Sequence, residues 1–261
     1  MAVPDYEAII RRTFADLERW RLLARNGWTP TPRSELAVDD EDWPWWPLSQ
    51  LAVAGLAAGR DHLGAVQGHL ERGEPFPFAD GTLLRSGMLG AATAVWLLAP
   101  DDRATRLKRA RTVAAEVYDK HAQFLGDLSS LSGGNHAGTE AVKNHAAERT
   151  DELARLRDAA GERATFQATH VVEAAAKAAL GEPYGLEAKV EWRRGSGAAH
   201  GLPWSLLGVQ TTTQLGAGDG QGMAMFQAAG GWSAVANGYM TAYHLLRRGW
   251  ELMDQRGGAP A

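Results

Sequence analysis

The string Glu191-Trp192-Arg193-Arg194-Gly195-Ser196-Gly197-Ala198-Ala199-His200-Gly201 holds a cation, a hydroxyl and an imidazole at helical spacing. In an α-helix residues seven apart differ by about 20° and residues four apart by about 40°, so Arg193, Ser196 and His200 share one face. Gly201 and Pro203 put His200 at the C-terminal end of that helix, where the dipole favours a protonated imidazole. A histidine so placed suits general acid–base chemistry near neutrality. The neighbouring glycines and alanines would leave the face uncovered, as close approach of a ligand or a backbone requires. The competing reading is structural: Ser196 and His200 hydrogen-bond a neighbouring helix, and the glycines let that helix pack tightly.

Other polar groups are weaker starting points. Asp61 and His62 fall on an expected buried helix, where they either orient His200 or fill a polar gap. His145 with Glu148 and His170 with Glu173 repeat a His-x-x-Glu spacing that would supply metal ligands if their helices faced each other. Helical di-metal sites use Glu-x-x-His, which does not occur in the chain, and surface ion pairing accounts for these residues equally well. No metal and no cofactor is assigned. The glycines at 216–222 have no strand before them and no Lys-Ser or Lys-Thr after them, so they do not form a phosphate-binding loop, and a Gly-x-Ser-x-Gly elbow is absent. Trp43, Trp45, Trp46, Trp192, Trp204 and Trp232 either staple loops to the core or enclose an apolar ligand.

These residues must be positioned by helices, because helical periodicity dominates and no run shows the β-branched alternation of a strand. Helices are expected at about 5–26, 48–71, 79–99, 102–125, 139–160, 162–180, 186–200 and 223–253. The proline- and tryptophan-rich segment 28–47 reads as an ordered loop, 129–138 as a turn, 211–222 as a glycine-rich loop and 257–261 as a frayed tail. The basic run Arg103, Arg106, Lys108, Arg109 and Arg111 reads as a solvated face. With no repeat and no linker, residues 1–256 form one all-α domain, a helical bundle.

Composition removes several classes of function. The 261 residues carry a formal charge of -4, so any nucleic-acid contact must come from a local basic patch. No cysteine is present, which excludes disulfides, thiolate metal sites and a cysteine nucleophile. The first dozen residues lack the apolar core of a signal peptide, and the apolar run Ser86 to Pro100 falls short of the roughly 20 residues that span a bilayer. A cytoplasmic protein without membrane contact is expected.

The arginine-to-histidine spacing resembles the Arg-x4-6-His signature of the HEPN superfamily, with five intervening residues counted from Arg194 and six from Arg193. The chain is also similar to an all-α actinobacterial family, through Asp61-His62-Leu63, Thr82-Leu83-Leu84-Arg85, Trp96-Leu97-Leu98-Ala99-Pro100 and the segment Trp192 through Gly201. The resemblance implies a HEPN-like core with additional helices, a homodimer, and an RNA or protein partner. It implies either a binding or dimerisation module, or a metal-independent ribonuclease of a toxin or defence system. In the latter, His200 moves the proton and Arg193 or Arg194 stabilises the phosphorane charge. Arg85, His62, Asp61, Trp192 and Trp204 are the candidate binding residues beside Ser196. Gly195 stands where active relatives tend to carry a polar side chain, and Leu89 where relatives place a glutamate that partners the Arg85 position.

Overall fold

The computed structural model describes residues 4–131, 136–207, 209 and 211–258. Helices α1 (Tyr6–Arg11), α2 (Phe14–Arg25), α3 (Glu35–Asp40), α4 (Leu48–Arg72), α5 (Pro77–Leu98), α6 (Arg103–Ser129), α7 (His136–Ala159), α8 (Ala168–Leu180), α9 (Glu182–Ala199) and α10 (Trp232–Gly257) follow in order. A 3-10 turn at Pro203–Leu206 and an antiparallel hairpin of β1 (Thr212–Leu215) and β2 (Met225–Ala228) lie between α9 and α10. The protein is an all-α bundle with one small hairpin.

Helix α5 is the axis of the bundle and packs against α4, α6, α8, α9 and α10. Its composition explains this. Pro77 pre-sets the first turn, Asp80 accepts the Phe76 amide at 3.0 Å, and the rest is Leu, Met, Ala and Gly. Glycines let α4 and α5 touch backbone to backbone: a Cβ built on Gly90 would stand 2.5 Å from the Gly55 carbonyl oxygen, and the reverse holds too. Among the described residues α5 is the one helix long and apolar enough to cross a membrane, and 56% of its apolar window is buried within the protein.

Several elements differ from the expectation. The first helix is interrupted at Thr13, whose hydroxyl turns back to the Ile10 carbonyl at 2.7 Å and meets the Tyr239 hydroxyl at 3.0 Å. Segment 28–47 contains α3, capped by Ser34 on the Ala37 amide. Of its indoles Trp28 and Trp43 are buried, whereas Trp45 and Trp46 are largely exposed. Helix α9 starts at Glu182, since Pro183 is tolerated in the first turn. The turn expected at 129–138 is shorter, because α7 begins at His136; residues 132–135 lie outside the described residues. The hairpin occupies part of the glycine-rich loop and the start of the expected last helix, so α10 begins at Trp232. Gly257 belongs to α10 rather than to a frayed tail: it is buried, and a Cβ there would stand 2.3 Å from the Trp28 ring.

The basic run on α6 is not a solvated face. Arg106 is buried and donates to Asp39 at 2.7 Å and to the carbonyls of Pro100 and Asp101 at 3.1 and 2.8 Å. Arg109 donates to the Trp96 carbonyl at 2.6 Å, and Arg111 bridges Asp42 and Glu162. Arg256 of α10 completes the cluster on the carbonyls of Leu98 and Pro100. Together these guanidinium groups satisfy the carbonyls that the C-terminus of α5 leaves without intrahelical partners.

Helix α10 holds the N-terminal helices through two buried tyrosines. Tyr243 donates to Asp16 at 2.6 Å and Tyr239 meets Thr13. Burial pushes both phenols up to about 12, with the Asp16 carboxylate adding to the effect at Tyr243. Below the ordinary phenol value near 10 both states keep the protons, so the stabilisation is complete there. Between about pH 10 and 12 only the unfolded chain releases them, and stability falls. Urea unfolding at stepped alkaline pH checks this. Tyr239→Phe with Tyr243→Phe is expected to flatten the decline, and an equally steep decline in that variant would refute it.

Candidate functional site

Gly181, at φ +101°, precedes α9, and a Schellman turn ends it: the Leu202 amide donates to the Gly197 carbonyl at 2.9 Å and the Gly201 amide to Ala198 at 3.0 Å, with Gly201 at φ +66°. His200 is the C-cap. The glycines of this helix are covered, contrary to the open face expected from sequence. A Cβ at Gly195 would lie 2.7 Å from Arg85 Cβ and 2.9 Å from the Gly81 carbonyl oxygen, and one at Gly197 would lie 2.6 Å from the Trp204 ring. Their use is close packing on α5 and on the 3-10 turn.

This packing brings Arg85 to Ser196. The guanidinium lies 4.1 Å above the Trp192 ring, and its Nε donates to Ser196 Oγ at 2.9 Å. Trp192 is buried and fixed in turn by its indole N–H on Thr169 Oγ1 at 3.1 Å, in the first turn of α8. Ser196 Oγ gives its own proton to the Trp192 carbonyl at 3.0 Å, which leaves it no proton to offer a base. Among the described residues no carboxylate lies within 4.0 Å of Arg85; position 89 of the same helix is Leu. A half-buried guanidinium stacked on an indole and anchored at Nε keeps its Nη groups for a ligand.

Arg193 and Arg194, which spacing could not separate, point to different places. Arg194 pairs with Glu191 and lines a cleft on the far side of α9. Arg193 is exposed and forms a stripe with Lys189, Ser196 and His200 at positions i, i+4, i+7 and i+11. The Lys189 ammonium, hydrogen-bonded to Glu173 at 2.8 Å and joined by the charges of His170 and Arg193, holds the Glu173 carboxyl below its usual range. Cationic groups therefore outnumber acids on this seam of α8 and α9. His200 is exposed, and among the described residues its side chain makes no hydrogen bond. Trp204 is 51% exposed, against Gly197.

The remaining candidates lie elsewhere. Asp61 is exposed and pairs with Arg60, beside α2, and His62 packs its Cβ toward Gly87, so the pair does not orient His200. Glu148 pairs with Arg149, and His145 stands edge-on to Trp45. The tryptophans do not line a common cavity: Trp43 meets Tyr118, Arg149 covers Trp45, and Trp232 meets Phe14 and Arg11. One feature that sequence reasoning missed is the pair His69 Nδ1 and Asp80 Oδ1, 2.6 Å apart, with Asp80 fully buried. Asp80 sits in the first turn of α5, where an acid reads as a capping residue, and nothing local marks its partner eleven residues earlier. Searches of protein-family models, curated proteins and solved structures find no match to this chain.

Proposed function

We propose that the chain is a helical binding module that engages a phosphodiester strand along the Arg85–Ser196 face of α9. The observation that carries the reading is Arg85, a guanidinium held in place by Trp192 and Ser196 and lacking an acidic partner among the described residues. Lys189 and Arg193 extend the positive field along the helix, and the exposed indole of Trp204 offers a surface on which an unpaired base can stack. In a chain of formal charge -4 such a seam is the local patch that nucleic-acid binding requires.

The test is titration of the full chain with a short single-stranded RNA, followed by fluorescence anisotropy. Binding is expected to weaken with salt, and Arg85→Met is expected to lower affinity about tenfold or more while circular dichroism stays unchanged. Equal binding by Arg85→Met and wild type, or no binding by wild type, would overturn the proposal.

A second reading rests on the stripe itself, where exposed Arg193 and His200 flank Ser196. In it the chain, as a homodimer, cleaves RNA without metal. His200 takes the 2′-hydroxyl proton as that oxygen attacks phosphorus, the 5′-oxygen leaves, and Arg193 stabilises the phosphorane. Cleavage in EDTA leaving 2′,3′-cyclic phosphate ends, lost in His200→Ala, is the expected result; an intact RNA pool would remove this reading and leave the binding proposal standing.

A further inference from the structure

On the side of α9 opposite the cationic stripe, a narrow cleft runs between α5, α9 and α10 and is roofed by the β1–β2 hairpin. It holds about 570 Å3 of empty space, open mouth included, within the size range of small-molecule sites. Leu84, Met88 and Val235 wall it from the helices, and Ala228 closes it from β2. Gly238 keeps it open: a Cβ there would stand 3.2 Å from Leu84 Cδ1 and 3.3 Å from Glu191 Oε2.

The cleft has one polar wall, the Arg194–Glu191 pair. Arg194 gives Nε and Nη2 to Glu191 Oε2, so Nη1 on one partner and Oε1 on the other retain hydrogen-bonding capacity. The other acid of the lining, Asp80, already uses one oxygen on His69 and the other on the Phe76 amide. The wall therefore presents a donor beside an acceptor with the two formal charges balanced. A carboxylate ligand would meet Glu191 and an ammonium would meet Arg194, and either would bury a net charge among apolar walls. A neutral head carrying its own acceptor and donor, such as a primary carboxamide, matches both partners at once.

We infer that this cleft is a binding site for a slender, uncharged, mainly apolar molecule with a carboxamide-like head, recognised by the Arg194–Glu191 pair and covered by the hairpin. The site is independent of the phosphodiester face, from which α9 separates it.

Octanamide, octanoate and octylamine are the probes, titrated into full-length protein carrying 13C-methyl methionine, with affinities from calorimetry at neutral pH. Octanamide is expected to shift the Met88 methyl resonance and to bind about tenfold or more tighter than either charged analogue. Arg194→Met combined with Glu191→Gln should erase that preference, and Ala228→Phe, which fills the cleft from the hairpin, should abolish binding. Failure of octanamide to bind, binding that leaves Met88 unmoved, or equal affinity for all three probes would overturn the inference. The Met88 readout in wild type keeps the test decisive if either variant fails to fold.

Discussion

Asp39→Ala is expected to cost about 3 to 5 kcal/mol of stability, because it leaves a buried guanidinium without its counter-charge. Asp39 is 1% exposed and Arg106 2%. The carboxylate accepts Arg106 Nε at 2.7 Å and Arg103 Nε at 3.0 Å, and it is the link between α3 and α6. Arg106 also donates to the carbonyls of Pro100 and Asp101, so it cannot swing out to water without exposing the end of α5. Urea unfolding monitored by circular dichroism measures the loss. Asp39→Leu combined with Arg106→Met, which removes both charges and restores apolar volume, should recover a large part of it. A single-variant cost under about 1 kcal/mol would mean that the pair is solvated in solution, as surface pairs are.

Gly90→Val should be at least as damaging, about 3 kcal/mol or more. Overpacking commonly costs 1 to 3 kcal/mol, and here the obstacle is backbone rather than a movable side chain. The added Cβ would lie 2.5 Å from the Gly55 carbonyl oxygen and 3.1 Å from the Gly59 amide nitrogen. Neither atom can yield without separating α4 from α5, the contact on which the core residues Leu63 and Val95 depend. Gly126 supplies the control. It lies within α6 with nothing within 4 Å of a built Cβ, so Gly126→Ala should raise stability by about 0.5 to 1 kcal/mol through helix propensity. Thermal and urea unfolding of the two variants should thus move in opposite directions; movement of Gly90→Val toward greater stability would show that the two helices do not pack at this crossing.

The long helices were legible because their signal is local. The 3.6-residue recurrence of Leu, Val, Ala and Met in 48–71 and 79–99 reproduces α4 and α5 within two residues at each end. Helix α3 was hidden by the prolines around it, although Ser34 before Glu35-Leu36 is a capping signal. The hairpin was hidden for a different reason. Its strands are four residues each, poor in β-branched side chains on β2, and their pairing of Thr212 with Ala228 spans a glycine-rich loop that reads as disorder of pattern.

At the candidate site the helix spacing correctly grouped Arg193, Ser196 and His200, since their angles on α9 follow from backbone geometry alone. Spacing left the choice between Arg193 and Arg194 open. Neighbours on a helix are separated by about 100°, so the two arginines had to diverge, but which of them met an acid depended on Glu191 and on where α10 lay. The arginines of α6 were misread for the same reason. Whether a charge is solvated depends on its partners, and Asp39, Asp42 and Glu162 lie between 51 and 69 residues away along the chain.

By itself, then, the sequence determined an all-α bundle, the extents of its long helices and the residues that share a face of α9. Only the tertiary structure decided that Arg85 would stack on Trp192, that the glycines would be covered, that Arg106 would be buried and that a cleft would open beneath a hairpin. A helix is specified by hydrogen bonds four residues apart and by a period visible in any short window. The burial and partnership of a side chain depend on which distant helices meet, and no local window contains that information.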